Sequence, residues 1–364
     1  MSKLPRVIFG PEIWSLQSEG GISRYFQQLI RGLAQSGISG QILTNRSSNS
    51  RLETIDVEDF QFRRLENSKH FYGEISKILE DEIGGNVYHP TYYSKDLVKV
   101  RAPRTKVVLT VFDMISELFP EKRPRFRKVV DEKRISVDKA DHILSISEQT
   151  KKDLINIYGV PEEKISVTYL GSDLHLLPKV ENARTTEKDF ILYVGKRGGY
   201  KNFSNFVIAY SHSKMLMTNF RIIAVGGGDF SSGELSEFQK RGMADKVIHV
   251  DANDYELAML YRDAACLVYP SIYEGFGLPP VEAMSLNCPV IASSGGSIPE
   301  ICGQAAAYFD PLNIDSIMHT ILETLASPSL MKDMQIKGQA ASQSFTWERT
   351  ARDTLSIYER FDHS

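Results

Sequence analysis

The repeated alternation of short apolar runs with helical stretches constrains the fold of this chain more than any other feature. Residues 22–33 place Ile22, Tyr25 and Leu33 on one helical face and lie between two such runs. Alternation of this kind predicts a parallel β-sheet with helices on both faces. The runs of this first series are 7–9, 41–44, 87–88, 106–111, 142–146 and 165–169.

A second series follows a polar stretch at 181–187, so we expect a domain boundary near 170–185. The length of 364 residues also suits two domains. We predict two doubly wound α/β domains that face one another, with the ligand in a cleft at the carboxyl ends of the strands. The strand runs are 190–194, 220–225, 247–250, 266–269, 290–292 and 306–309, and the helices 256–264, 280–286, 314–326 and one that opens at Thr346-Trp347.

Composition excludes several classes of protein. The chain has 43 Lys and Arg residues against 46 Asp and Glu, a formal net charge of -3, so nucleic acid is not expected as a partner. No apolar run approaches the ~20 residues that a membrane span requires, and residues 1–6 lack the apolar segment of a secretory signal. The three cysteines are too few for a disulfide framework and favour a reducing compartment. We therefore expect a cytoplasmic protein.

One basic segment, residues 122–128, interrupts this neutral pattern with the sequence Lys-Arg-Pro-Arg-Phe-Arg-Lys. Two interpretations are open. The segment is a solvated helix start, or it makes a peripheral contact with the anionic inner face of a membrane.

The stretch 270–284 is the most informative part of the sequence for function. It follows an apolar run and opens a helix with a proline pair near its start. Gly275 and Gly277 permit a tight turn whose amides, with the helix N-terminus, form an anion site. Glu274 in the loop and Glu282 in the first helical turn flank that site, and such carboxylates suit sugar hydroxyls. For Glu282, a carboxylate that only offsets the helix dipole is the alternative.

The loop 195–202 places cations on a glycine-containing turn just before a helix. Lys196, Arg197 and Lys201 lie where cations would stabilise the charge that a diphosphate leaving group acquires. Lys196 and Arg197 could exchange roles, and ordinary surface charges are the alternative. If these groups compensate the diphosphate, no metal ion is required, and the sequence contains no Asp-x-Asp motif.

The Glu-Gly-Phe-Gly-Leu-Pro sequence, with two glutamates separated by seven residues, resembles the signature of the retaining GT-B glycosyltransferases of family 4. The resemblance covers nearly the whole chain and implies the GT-B fold, with two Rossmann-like domains and a deep interdomain cleft. It implies an N-terminal acceptor-side domain at 1–172, a C-terminal nucleotide-sugar domain at 173–345 and a terminal helix at 346–364 that returns to the first domain. The other matching segments are Gly20-Gly21-Ile22-Ser23-Arg24-Tyr25, 193–202 and Ser297-Ile298-Pro299-Glu300.

The same resemblance implies roles for individual residues. Glu274 corresponds to a ligand for the hydroxyls of the transferred sugar, and Glu282 to a ligand for the nucleotide ribose. Arg197 and Lys201 match the phosphate-binding pair of the family. The donor-binding residues predicted in this way are Gly21, Arg197, Lys201, Glu274, Phe276, Gly277, Leu278 and Glu282.

Five residues in the first half bear on the site. Gly20-Gly21 precedes an amphipathic helix, where its amides approach a phosphate or the acceptor, or merely form an entry turn. His89 lies on the acceptor side of the presumed cleft, or is a hydrogen-bonded structural histidine. Phe112 stands where the family often has a histidine near the donor sugar. That departure leaves Asp113 as the polar candidate to orient an acceptor hydroxyl, with a helix N-cap as its alternative.

The leading interpretation is a metal-independent, cofactor-free, retaining glycosyltransferase that moves a hexose from a nucleoside diphosphate sugar to a hydroxyl of a glycan or glycolipid. Residues 200–203 and 112–115 resemble bacterial mannosyltransferases of surface-polysaccharide assembly, so GDP-mannose is the expected donor and a UDP-sugar the alternative. A nicotinamide-dependent oxidoreductase and a non-catalytic sugar-nucleotide-binding protein are the alternatives from other classes. The glycine run 226–228 lacks the complete dinucleotide-binding pattern and indicates a tight turn instead. The predicted catalytic residues are Glu274, Arg197, Lys201 and Asp113, with His89 and Asp113 on the acceptor side.

Overall fold

The computed structural model describes residues 5–17, 20–45, 52, 54–66, 71–81, 87–101, 103–120, 124–178 and 189–361. The chain divides into two compact units. Unit 1 contains Met1–Gly171 and Trp347–Ser364, and unit 2 contains Ser172–Thr346. The polar stretch 181–187 and positions 122 and 123 of the basic segment lie outside the described residues.

Unit 1 is built on a seven-stranded sheet whose described strand pairs are all parallel. Its strands are β1 (Val7–Phe9), β2 (Gly40–Thr44), β3 (Phe60–Arg64), β4 (Val87–His89), β5 (Lys106–Val111), β6 (His142–Ser145) and β7 (Ile165–Val167). The order across the sheet is β3-β2-β1-β4-β5-β6-β7. Because the chain winds outward in both directions from β1, this is a doubly wound sheet.

Helices flank this sheet. They are α1 (Glu12–Leu16), α2 (Gly21–Gln35), α3 (Phe71–Asp81), α4 (Ile115–Leu118), α5 (Pro124–Lys139), α6 (Glu148–Tyr158) and the terminal helix of the chain. α2 buries Tyr25, Phe26 and Leu33, as its helical spacing predicts. The terminal helix (Trp347–Glu359) packs along α2, where Gly32 faces Ala351.

Unit 2 is built on a six-stranded sheet whose described strand pairs are also parallel. Its strands are β8 (Phe190–Val194), β9 (Arg221–Val225), β10 (Val247–Val250), β11 (Cys266–Tyr269), β12 (Val290–Ser293) and β13 (Ala306–Phe309), in the order β10-β9-β8-β11-β12-β13. The helices of unit 2 are α7 (Phe203–Ser211), α8 (Lys214–Asn219), α9 (Ser232–Lys240), α10 (Asp254–Asp263), α11 (Leu278–Ser285), α12 (Ile298–Cys302), α13 (Ile314–Leu325) and α14 (Pro328–Ser342). The terminal helix of unit 1 follows them in the chain and is α15 (Trp347–Glu359).

The predicted doubly wound α/β architecture is confirmed in each unit. The strand β3 was not predicted from the sequence. Its first residue, Phe60, is buried and the other four are exposed, because the strand lies at the edge of the sheet. An edge strand of this kind needs no continuous apolar run, so its sequence carries little signal. None of the described helices combines the length and the hydropathy that crossing a membrane requires.

Candidate functional site

The loops that follow three neighbouring strands of unit 2 carry the residues that the sequence singles out. β8 pairs with both β9 and β11, and all three strands run parallel. Their loops begin at Gly195, Gly226 and Pro270. The carboxyl ends of parallel strands meet at one edge of a sheet, so these loops share that edge. We take this edge as the candidate site.

Lys201 and Glu274 form an ion pair at this edge. The Nζ atom of Lys201 lies 2.7 Å from Oε1 of Glu274, and 18% and 9% of the two side chains are exposed. Tyr269, at the end of β11, is completely enclosed beside Glu274. Burial, and then the charge of Glu274, raises the pKa of Tyr269 well above its ordinary value, which keeps its hydroxyl protonated. The sequence predicted both members of the pair but not their pairing.

Asn202 fixes the position of Lys201. Lys201 ends a short 3₁₀ turn, and Asn202 follows in the left-handed region with φ 59°. The Nδ2 group of Asn202 donates to the carbonyl oxygens of Pro270 at 3.1 Å and Pro311 at 2.7 Å. These bonds tie the cationic loop to the loop that carries Glu274.

A second set of backbone contacts fixes Glu274. The hydroxyl of Ser297 donates to the carbonyl oxygens of Glu274 at 3.0 Å and Phe276 at 2.8 Å. Gly296 packs so closely that a Cβ atom there would lie 2.7 Å from the amide nitrogen of Glu274. The segment Ser297-Ile298-Pro299-Glu300 therefore contributes a hydroxyl that supports the loop.

The helix α11 begins earlier than the sequence suggested. Gly277 caps it with φ 106°, and Leu278 is its first residue, so the expected start at Pro280 was two residues late. Glu282 consequently lies in the second helical turn, and its placement in the first turn was wrong. Pro279 and Pro280 in the first turn of α11 carry no N–H, so the anion-site hypothesis depends on the amides of the loop before the helix and of Leu278.

Glu282 is held by a tyrosine that sequence reasoning did not single out. The hydroxyl of Tyr261, in α10, donates to Oε2 of Glu282 at 2.9 Å, and both side chains are buried. Burial, followed by the charge of Glu282, raises the pKa of Tyr261 well above its ordinary value. No local pattern identifies this contact, because an apolar helix face reports that Tyr261 is buried but not what it contacts.

Arg197 and Lys196 lie in different environments although they are adjacent. Arg197 is buried, and its guanidinium donates to the carboxylate of Glu234 and to the carbonyl oxygens of Gly226 and Asp229. Lys196 is exposed. Sequence reasoning missed Glu234. The Ser231-x-x-Glu234 spacing, which forms a capping box at the start of α9, could have located the helix start but not the arginine partner.

In unit 1, Gly20 caps α2 and Gly21 is its first residue, with nothing within 4 Å of a Cβ atom placed there. His89 is completely buried. Its Nδ1 atom lies 2.6 Å from the hydroxyl of Tyr358 and its Nε2 atom 2.9 Å from that of Thr110, while burial lowers its pKa to about 3. These contacts are those of the structural histidine, and no exposed edge of the ring is left for an acceptor.

Asp113 lies two residues after the end of β5, where its Oδ1 atom accepts the amide N–H of Ile115 at 3.0 Å. The buried Lys133 donates to the carbonyl oxygen of Asp113 at 2.8 Å and lies 3.9 Å from Oδ1. The carboxylate therefore supports the start of α4, yet 34% of its side chain is exposed. Phe112 is buried and packs edge-on against Tyr25.

The arrangement in unit 2 brings a lysine, two carboxylates and a helix N-terminus to one sheet edge, which is suited to binding a phosphorylated, hydroxyl-rich ligand. In the part of the chain that the structure describes, no group of three or more His, Cys, Asp or Glu side chains is placed to hold a metal ion.

Comparison with known proteins gives two family matches that together run along most of the chain. Residues 19–176 match the model described as Glycosyltransferase Family 4, and residues 176–341 match the model described as Glycosyl transferases group 1.

Similar sequences and structures agree with these matches. The O-antigen chain mannosyltransferase B of Escherichia coli is 29% identical over 75% of this chain and 74% of its own length. The O-antigen chain mannosyltransferase RfbU of Salmonella typhimurium is 32% identical over 56% of each chain. Among solved structures, a sucrose-phosphate synthase from Thermosynechococcus elongatus aligns with a TM-score of 0.75 at 21% identity, covering 98% of this chain and 99% of its own. The Anabaena protein HepE, in complex with UDP, aligns with a TM-score of 0.76 at 14% identity, covering 98% and 100%. At such identities, the structural matches show a shared fold.

Proposed function

Because the chain belongs to the family 4 glycosyltransferases and has the GT-B fold, we propose that it transfers mannose from GDP-mannose to a hydroxyl of a glycan or lipid-linked glycan in surface-polysaccharide assembly. The observation that carries this proposal is the Lys201–Glu274 pair at 2.7 Å, which joins a cation to a carboxylate at the carboxyl edge of one sheet. The names of the relatives support mannose and the polysaccharide setting.

The two glutamates bind the hydroxyls of the donor. Glu274 accepts hydrogen bonds from the mannose, and Glu282 accepts them from the ribose. Each already contacts a protein donor, Lys201 or Tyr261. One such contact does not exhaust a carboxylate, because its two oxygens offer about four acceptor positions.

Cations and backbone amides, rather than a resident metal ion, offset the charge of the diphosphate in this proposal. Lys201, with Arg197 or its neighbour Lys196, supplies positive charge from the loop after β8. The amides of residues 276–278 supply fixed dipoles. Such preorganised groups act most strongly on the charge that develops as the nucleoside diphosphate leaves.

Transfer proceeds with retention at the anomeric carbon. The bond from this carbon to the phosphate oxygen breaks while a bond to the acceptor oxygen forms on the same face. The leaving phosphate oxygen takes the proton of the acceptor hydroxyl. No side chain is required as a base, since the phosphate itself accepts the proton.

Product NMR after incubation with GDP-mannose and an oligosaccharide or lipid-linked acceptor tests this proposal. We expect release of GDP and an α-linked mannose. A β-linked product would overturn retention, and transfer from UDP-glucose or UDP-N-acetylglucosamine alone would overturn the assignment of the donor. Binding without release of nucleoside diphosphate would indicate a non-catalytic protein, and consumption of a nicotinamide cofactor would indicate an oxidoreductase.

We further propose that the protein works in the cytoplasm at the inner face of the membrane, where the basic segment 122–128 touches anionic lipid. Arg127 and Lys128, in the first half of α5, are exposed. Sedimentation with vesicles that contain phosphatidylglycerol should therefore be reversed by salt, since each cation near an anionic surface contributes about 1 kcal/mol. Equal sedimentation with neutral phosphatidylcholine vesicles would contradict this contact.

A further inference from the structure

The guanidinium of Arg197 is directed into its own chain. Its Nε atom donates to Oε1 of Glu234 at 2.7 Å, Nη1 to the carbonyl oxygen of Gly226 at 2.7 Å, and Nη2 to that of Asp229 at 2.8 Å. The group also lies over the ring of Phe230, 4.6 Å from its centroid. Only 6% of the side chain is exposed. All three nitrogens of the cation thus already have acceptors within unit 2.

Glu234 is a firm anchor for this cation. Its Oε2 atom accepts the amide N–H of Ser231 at 2.8 Å and the hydroxyl of Ser231 at 2.7 Å, in the capping box of α9. Burial by itself raises the pKa of this carboxyl, but the hydrogen bonds from Arg197 and Ser231 outweigh burial and hold its pKa below the ordinary value. The carboxylate is therefore ionised and oriented where Arg197 meets it.

Arg197 binds the backbone of the turn that follows β9. Gly226, Gly227 and Gly228 have φ values of 87°, 81° and 70°, a left-handed backbone conformation that favours glycine. Three successive glycines are also the most flexible kind of backbone. The carbonyl groups at both ends of this turn accept from the same guanidinium, and a Cβ atom at Gly227 would lie 2.9 Å from Nη1. The arginine therefore fills the space inside the turn and closes it.

We infer that Arg197 is a positioning residue, not a phosphate ligand: anchored on Glu234, it fixes the Gly226–Asp229 turn at the edge of the sheet where the donor binds. This inference rests on the proposed function, because it assigns the turn to the donor site. Glu234 is a positioning residue for the same reason. The phosphate charge then falls to Lys201 and to the exposed Lys196.

The first test compares the affinities of GDP and GMP, with UDP and UMP in parallel, for Arg197→Ala, Arg197→Lys, Glu234→Gln and the double variant. If the turn is no longer fixed, the affinities for the diphosphate and for the monophosphate should fall by the same factor, about tenfold each. Arg197→Lys should not rescue binding, because one ammonium cannot replace three directed nitrogens. The double variant should be no weaker than either single variant, as expected for residues that act as one unit.

A phosphate ligand gives the opposite pattern. Glu234→Gln would then leave GDP affinity unchanged or improve it, Arg197→Ala would weaken GDP much more than GMP, and Arg197→Lys would restore much of the loss. That pattern would overturn the inference. Arg241→Ala is the matched control, since Arg241 pairs with Glu237 at 2.6 Å near the opposite end of α9 from the turn.

The second test needs no ligand. Hydrogen exchange of the amides in residues 226–230 should accelerate in Arg197→Ala and Glu234→Gln and stay unchanged in Arg241→Ala. Unchanged exchange in the first two variants would overturn the inference. If the wild type bound no nucleoside diphosphate, the proposed function would fail, yet this exchange experiment would still decide whether Arg197 closes the turn.

Discussion

The ammonium nitrogen of Lys201 lies 2.7 Å from Oε1 of Glu274, although the two residues are 73 positions apart in the sequence. The two side chains arrive from different strands, and each loop is fixed by its own backbone contacts, to Asn202 on one side and Ser297 on the other. The cation and the carboxylate to which the proposed function assigns the diphosphate and the sugar hydroxyls are therefore oriented toward each other before any ligand binds. Preorganisation of this kind is what electrostatic catalysis requires.

Glu274→Ala and Lys201→Ala should each lower the rate of mannosyl transfer by about 10²-fold or more, since each removes a group that stabilises the transition state. Release of GDP from GDP-mannose measures this rate, and circular dichroism checks that the variants fold. Lys332→Ala, an exposed lysine in α14, is the charge control and should retain full activity. Near-normal turnover in either site variant would remove that residue from the mechanism.

Tyr261→Phe should weaken the donor complex through the ribose. The variant loses the hydrogen bond from the Tyr261 hydroxyl to Glu282, a bond whose removal from a buried carboxylate costs about 1–3 kcal/mol. GDP affinity should fall, while the affinity for 2′,3′-dideoxy-GDP should change little, so the ratio of the two affinities should shrink. An equal loss for both nucleotides would mean that Tyr261 supports the fold of α10 rather than the orientation of Glu282.

The strands that were predicted from the sequence differ in burial from β3, which was not predicted. β11 contains Cys266, Leu267, Val268 and Tyr269, all buried, and a continuous apolar run is the expected signal of a central parallel strand. β3 has one buried residue at a sheet edge and lacks that signal. Hydropathy reports how much of a segment is buried, so it recovers the centre of a sheet better than its edges.

Some residues of the candidate site were likewise predicted from the sequence and others were not. Lys201 and Glu274 were predicted because each lies in a glycine-containing loop that follows an apolar run and matches a motif of the family. Glu234 and Tyr261 were not, because their partners lie 37 and 21 positions away and no periodicity encodes which buried groups meet. The sequence also could not predict which groups the guanidinium of Arg197 contacts, since a guanidinium binds a phosphate or a carbonyl group equally well.

Gly32→Ala should destabilise unit 1 by about 1–3 kcal/mol, because the new methyl group would lie 2.5 Å from Cβ of Ala351 in the terminal helix. Gly73→Ala, in α3, is the matched control: nothing lies within 4 Å of its Cβ position, so it should be neutral or stabilise by about 0.5–1 kcal/mol through helix propensity. Urea unfolding measures both. Ala351→Gly should partly restore Gly32→Ala, and a stabilised Gly32→Ala would contradict the close helix contact.

Transfer should persist in excess EDTA, because Lys201 and the amides of residues 276–278 offset the diphosphate charge in the proposed mechanism. The measurement is GDP release by the purified protein before and after dialysis against EDTA. Complete loss of transfer that Mg²⁺ or Mn²⁺ restores would contradict the metal-independent mechanism.

The free energy of unfolding of unit 1 should fall in acid because of His89, which contacts Tyr358 of the terminal helix. Burial lowers the pKa of His89 in the folded protein to about 3, whereas an unfolded histidine has a pKa of about 6.5. Above pH 6.5 the ring is neutral in both states. As the pH falls towards 3, the unfolded chain takes up a proton that the folded protein does not, so the free energy of unfolding falls by up to about 1.4 kcal/mol per pH unit.

Both tryptophans of the chain, Trp14 and Trp347, belong to unit 1, so their fluorescence in urea reports the unfolding of that unit. Between pH 6.5 and 5, the free energy of unfolding of His89→Gln should fall by roughly 1.5 kcal/mol less than that of the wild type. His142, whose pKa burial lowers to about 4, titrates in both proteins and cancels in the comparison. Identical slopes would mean that His89 becomes protonated without unfolding, and hence that its contacts with Tyr358 and Thr110 do not require a neutral ring.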